Sequence, residues 1–198
     1  MIELRLSSKT ITFISLMGAL GNILFIISNY IGNIIPGVSV DLSHIPTFIA
    51  SLYGGPSIGF LTGLLVGVLP GIQYGPLSPY GSWATLILLP LGKSLTGLTA
   101  GFLAEVLKVN RKKYRSLIIF PLVLASYIPE CIYTILYFAI LLPFFTGSGS
   151  LGILAYVLPK AWVEIIFMGI FMAALKGNDG FNIFILSLIS GRQDKKVV

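Results

Sequence analysis

The chain has 198 residues, is 56% hydrophobic and only 10% charged, and carries a net charge of +6 with a mean hydropathy of +0.94. Soluble domains hold roughly 25% charged and about 45–50% apolar residues, and a soluble chain this short has too little interior to hide the surplus. Disorder, a disulfide scaffold (Cys131 is the single cysteine) and an ordinary cytosolic enzyme are excluded, leaving a polytopic, all-α integral membrane protein.

In chain order, Glu3, Arg5 and Lys9 precede an apolar run at 10–34, longer than the roughly 20 residues a helix needs to cross the hydrocarbon core. No small-residue cleavage site ends it, so it reads as a retained span rather than a signal peptide. Ser15, Gly18 and Ala19 give it a small-residue face. Asp41-Leu-Ser-His-Ile-Pro46 opens the next stretch; Asp41 or Ser43 can cap a helix, and His44 falls in its first turn. Residues 42–69 read either as one span or as two short ones, 42–53 and 57–69, broken at Gly54-Gly55-Pro56-Ser57. Gly59, Gly63 and Gly67, and later Gly97 and Gly101, recur at four-residue spacing as helix-packing faces. The loop at 70–82 holds Gln73, Tyr74, Tyr80 and several Gly and Pro, which suits either a lid over a ligand or a connector with interfacial aromatics. Further spans read at 83–106, 117–142 and 153–175. The apolar run 181–189 is too short to cross and reads as a surface helix or a partner contact.

Basic residues choose between five spans and six. A turn at Gly-Gly-Pro, where Gly accepts positive φ and Pro stops helix continuation, puts both termini, the 108–115 loop and Lys176 on the cytoplasmic side. Of the thirteen Lys and Arg, Lys93 and Lys160 alone then lie elsewhere, which satisfies the positive-inside rule. Six spans are expected, two of them short, in a single domain. The same distribution argues against nucleic acid, since it anchors loops instead of lining a groove.

Four ionisable residues fall at membrane depth: Lys93, Glu130, Lys160 and Glu164. Each costs a few kcal/mol unless it is paired or wet. Lys160 and Glu164 are i, i+4 and share a face. These residues serve either as helix-joining ion pairs or as a polar pocket for a ligand with donor and acceptor groups. No metal site is expected, because one His and one Cys on different spans lack a ligand set. Gly92-Lys93-Ser94 echoes the end of a phosphate loop, but Ile87 stands where that motif needs Gly and no strand precedes it.

The stretch Asp41-Leu-Ser-His-Ile-Pro46-Thr-Phe-Ile-Ala50, followed by Gly54-Gly55-Pro56-Ser57-Ile-Gly59, resembles the S components of energy-coupling factor (ECF) transporters, as does Lys93-Ser-Leu-Thr-Gly97-Leu-Thr-Ala-Gly101. The resemblance implies a substrate-binding subunit without cofactor or enzymatic activity of its own, in the cell membrane of a prokaryote. It would capture a vitamin or related micronutrient from outside and deliver it with a transmembrane coupling subunit and two cytoplasmic ATPases. The family's small face on the first span, which meets the coupling subunit, would fall here on Ser15, Gly18 and Ala19. Ligand residues would come from the outer halves of the last three spans and the first two outer loops. The candidates there are His44, Gln73, Tyr74, Tyr80, Trp83, Glu130, Tyr133, Lys160 and Glu164. Aromatic faces with polar edges favour a riboflavin- or thiamine-like heterocycle, while Lys160 would also suit a biotin- or pantothenate-like carboxylate. The alternatives are a membrane enzyme using Glu130 or Glu164 with His44 as acid and base, and a structural membrane protein.

Overall fold

The computed structural model describes residues 7–31, 33–35, 38–78, 81–111, 114–147 and 151–190. The elements are α1 (Ser8–Ile31), a short ribbon of β1 (Asn33–Ile35) antiparallel to β2 (Val38–Ser39), α2 (His44–Gly54), α3 (Pro56–Val66), α4 (Val68–Tyr74), α5 (Thr85–Val106), α6 (Arg115–Leu136), α7 (Leu142–Thr146), α8 (Leu151–Gly177) and α9 (Asp179–Ser190). A π-helical turn, Tyr137–Leu141, joins α6 to α7.

Five helical stretches are long and apolar enough to cross a membrane: Ser8–Ile31, Pro56–Tyr74, Thr85–Val106, Arg115–Thr146 and Leu151–Gly177. The short segment α2 has 11 residues, about 16 Å of helix against a core of about 30 Å. Its neighbours shield it: His44 and every residue from Pro46 to Leu52 are buried. The chain reverses from α2 into α3 at Gly55, whose φ of 86° only glycine adopts freely, with Pro56 opening α3.

Two boundaries depart from expectation. The third segment does not end at residue 69; after a break at Gly67 the chain continues as α4 through Pro70 to Tyr74. Pro70 is tolerated because it lies in the first turn of α4, where backbone N–H groups lack intrahelical partners in any case. The first five of the thirteen residues of the expected 70–82 loop are therefore helix. The fifth segment likewise runs on through the π turn to Thr146.

The glycine stripes face each other. A Cβ on Gly59 would lie 2.4 Å from the Gly97 carbonyl oxygen, and one on Gly97 would lie 2.2 Å from that of Gly59. Gly63 meets the backbone of Lys93 and Ser94, Gly67 that of Pro90, and Gly101 that of Pro56. The backbones of α3 and α5 touch along their length.

Lys9, Lys108, Arg115 and Lys176 mark one end of the bundle. The apolar core, including Phe13, Phe48, Ile119, Val123, Met172 and Ile185, is weighted towards this basic end. The run at 181–189 forms most of α9 and docks there on its own chain. Tyr53 Oη donates to Asn182 Oδ1 at 2.5 Å, Asn182 Nδ2 donates to the Lys176 carbonyl at 2.9 Å, and the Lys176 ammonium lies 3.4 Å from the centre of the Tyr53 ring. Arg115 pairs with Asp179. A neutral hydrogen bond contributes about 1 kcal/mol net, so Tyr53→Phe should lower stability by that amount in detergent thermal unfolding and leave ligand affinity unchanged. A loss of binding in this variant would show that the two ends of α2 are coupled.

Candidate functional site

At the end opposite the basic residues the helices enclose a cavity of about 200 Å³. Its polar lining comes from four places in the chain: Asp41 before α2 and His44 at its start, Lys93 on α5, Glu130 on α6, and Lys160 with Glu164 on α8. Between residues 10 and 104, and between 116 and 175, these carry every formal charge in the sequence. Charges spread over 124 positions of chain thus meet at one point.

They form one connected network. Lys93 Nζ lies 2.7 Å from Asp41 Oδ2, donates to Ser43 Oγ at 2.9 Å, and lies 3.3 Å from His44 Nε2. His44 Nε2 is 3.2 Å from Glu130 Oε1, while the Thr96 hydroxyl donates to Glu130 Oε2. The backbone N–H of Asp41 donates to Glu164 Oε1 at 2.7 Å, and Glu164 Oε2 is 3.3 Å from Lys160 Nζ. Lys93 is only 3% exposed; a buried ammonium persists because Asp41 and Ser43 both accept from it.

Asp41 and Ser43, expected as helix caps, are diverted to this network. The Asp41 Oδ1 atom accepts the Ser43 N–H at 2.9 Å, and the Ser43 hydroxyl makes no cap hydrogen bond because it accepts from Lys93. Burial pushes the Asp41 carboxyl up, but the surrounding cations, Lys93 foremost, hold it well below the usual carboxylate range. Its contribution to stability is therefore complete at neutral pH and is lost only as the pH falls far below that range.

Ser78 and Thr134 apart, the rest of the lining is aromatic and apolar, with Tyr74, Tyr127, Tyr133, Tyr137 and Phe138 as rings and Leu89, Val157, Ile165 and Met168 among the aliphatic walls. Tyr133 Oη is spent on the Leu88 carbonyl at 2.7 Å and Tyr137 Oη on Thr85 Oγ1 at 2.8 Å. Their hydroxyls fasten α6 to α5, and their rings remain for the cavity. Among the described residues, His44 and Lys160 keep polar groups that no partner takes. His44 Nδ1 is buried without a partner among the described residues. Lys160 has Glu164 as its one partner among them, leaving two N–H groups for a ligand.

The structure thus brings His44, Tyr74, Glu130, Tyr133, Lys160 and Glu164 to one cavity. Gln73 points elsewhere, exchanging hydrogen bonds with Asn29 at 3.3–3.4 Å. Trp83 is 75% exposed and outside the lining. Tyr80 lies outside the described residues. Asp41 and Tyr127 enter the site unanticipated, as do Tyr137 and Phe138 from the π turn, a geometry frequent at functional sites. Of the small face on α1, Ser15 and Ala19 are exposed, while Gly18 is buried against Leu65, whose Cβ is 2.7 Å from a Cβ placed there.

Comparison with protein families gives a match over residues 9–190 to the family described as ECF transporter, substrate-specific component. Neither the curated proteins nor the solved structures give a match.

Proposed function

This chain belongs to the ECF transporter substrate-specific component family, and on that premise we propose that its charged cavity captures a water-soluble vitamin or related micronutrient from outside a prokaryotic cell. Members of the family are multi-pass membrane subunits of transporters that associate with ECF coupling components and a small-molecule substrate. In the proposed arrangement the chain hands its cargo to a transmembrane coupling subunit driven by two cytoplasmic ATPases. The exposed small residues Ser15 and Ala19 on α1 are the proposed contact with the coupling subunit.

The observation that carries the reading is the convergence of all membrane-depth charges on one cavity, with Lys160 holding N–H groups that no acceptor among the described residues takes. Charges serving only as helix glue would be expected to use their donors on one another. His44, Tyr74, Glu130, Tyr133, Lys160 and Glu164 are the proposed ligand contacts; Gln73, Tyr80 and Trp83 would belong to the entrance.

The test is small-molecule mass spectrometry on the detergent-purified protein, followed by titration of the recovered compound. Lys160→Ala and Glu164→Ala are each expected to weaken binding tenfold or more, the loss of a charge-assisted hydrogen bond of about 1.5–3 kcal/mol. Wild-type affinity in both variants would place the ligand elsewhere. If no vitamin binds and no ATPase copurifies from the native membrane, the transport reading fails.

A further inference from the structure

The charges around the cavity do not cancel. Asp41, Glu130 and Glu164 bring three carboxylates against the two ammonium groups of Lys93 and Lys160. Asp41 is matched by Lys93 at 2.7 Å and Glu164 by Lys160 at 3.3 Å. Glu130, 8% exposed, has the Thr96 hydroxyl and His44.

The nitrogen nearest to Glu130 is His44 Nε2 at 3.2 Å, which also lies 3.3 Å from the Lys93 ammonium. No Lys or Arg among the described residues pairs with Glu130 as Lys93 pairs with Asp41 and Lys160 with Glu164. A buried carboxylate without a cationic side chain of its own is costly at membrane depth.

What surrounds Glu130 suits a ligand that cancels this charge. Tyr127, Glu130 and Thr134 on α6 and Tyr137 in the π turn that follows recur at helical spacing and all line the cavity, with Tyr133 also in the lining. Phenol rings attract cations through the negative faces of their π systems. We infer that the substrate is a small organic cation, a quaternised nitrogen heterocycle or an arylalkyl amine carrying a single positive charge, seated against Glu130 among the rings of Tyr127, Tyr133 and Tyr137 with an acceptor group towards Lys160. Binding then gives Glu130 the cationic partner it lacks. An organic anion would instead bring further negative charge against Glu130. The inference rests on the proposed binding role and narrows its substrate class.

The experiment is isothermal titration of the purified protein, freed of bound ligand, with thiamine and pyridoxamine as cationic probes, riboflavin as a neutral one, and pantothenate and biotin as anionic ones. A cationic probe is expected to bind at least tenfold tighter than any neutral or anionic one. Glu130→Gln should remove tenfold or more of that affinity and spare the anions. Glu164→Gln, which removes one negative charge from the same set, should shift the preference the same way and serves if Glu130→Gln does not fold. An anionic or neutral probe binding as tightly as the cations overturns the inference and leaves the binding role standing, as does unchanged cation affinity in folded Glu130→Gln. Absence of binding by every probe, with coupling subunits still copurifying, also overturns the cation assignment alone. Absence of both binding and copurification overturns the binding role with it.

Discussion

Lys93→Met should cost about 3–5 kcal/mol of stability, because removing one partner of a buried pair strands the charge of the other, and substrate binding should vanish with it. Lys93 gives its protons to protein acceptors, so it acts as a positioning residue and not as a ligand contact. It fixes Asp41, whose backbone N–H in turn holds Glu164. The measurement is thermal unfolding in detergent beside ligand titration. The double variant Lys93→Met with Asp41→Asn should recover much of the stability, since it removes both charges, while binding stays impaired. A single variant that unfolds at the wild-type temperature would show the network to be energetically idle.

The second large effect lies where the backbones of α3 and α5 touch. In Gly59→Ala the new Cβ would fall 2.2 Å from Ser51 Oγ and 2.4 Å from the Gly97 carbonyl oxygen. A side chain can swing away, but a helix backbone yields only by moving the whole helix. The expected loss is about 3 kcal/mol, the upper part of the usual range for overpacking, and Gly59→Leu should give no folded protein. Gly152→Ala is the control, because nothing among the described residues lies within 4 Å of a Cβ there, and its unfolding should match wild type.

Much of the architecture is legible in the sequence because it is set by local rules. Apolar run length announces the helices, and Gly54-Gly55-Pro56 announces the reversal. The i, i+4 spacing of Lys160 and Glu164 already gives their pairing. The candidate site is half legible for the same reason: a charge at membrane depth stands out wherever it occurs, as Glu130 and Lys93 do. What escapes is pairing across distance. Asp41 reads as a helix cap because the adjacent residues permit it, and its partner Lys93 lies 52 positions away. The outward turn of Gln73 and Trp83 depends on how α4 and α5 are rotated against their neighbours, which residue type does not encode. The π turn at Tyr137–Leu141 is a local change in hydrogen-bond spacing that leaves the hydrophobic pattern intact.

The glycine contacts divide the bundle by stiffness. On one side α3 and α5 meet backbone to backbone, with no soft layer between them. On the other, α5 meets α6 through the Tyr133 ring against Gly92, and α6 meets α8 through the Phe120 ring against Gly169. A ring can give where a backbone cannot, although the Tyr133 ring is pinned by its hydroxyl to the Leu88 carbonyl, so the softer of the two joints is that between α6 and α8. The cavity reaches across the ring layer between α5 and α6, with Asp41, His44 and Lys93 on one side and Glu130, Lys160 and Glu164 on the other. A molecule seated there would crosslink a backbone-packed half to a ring-packed one.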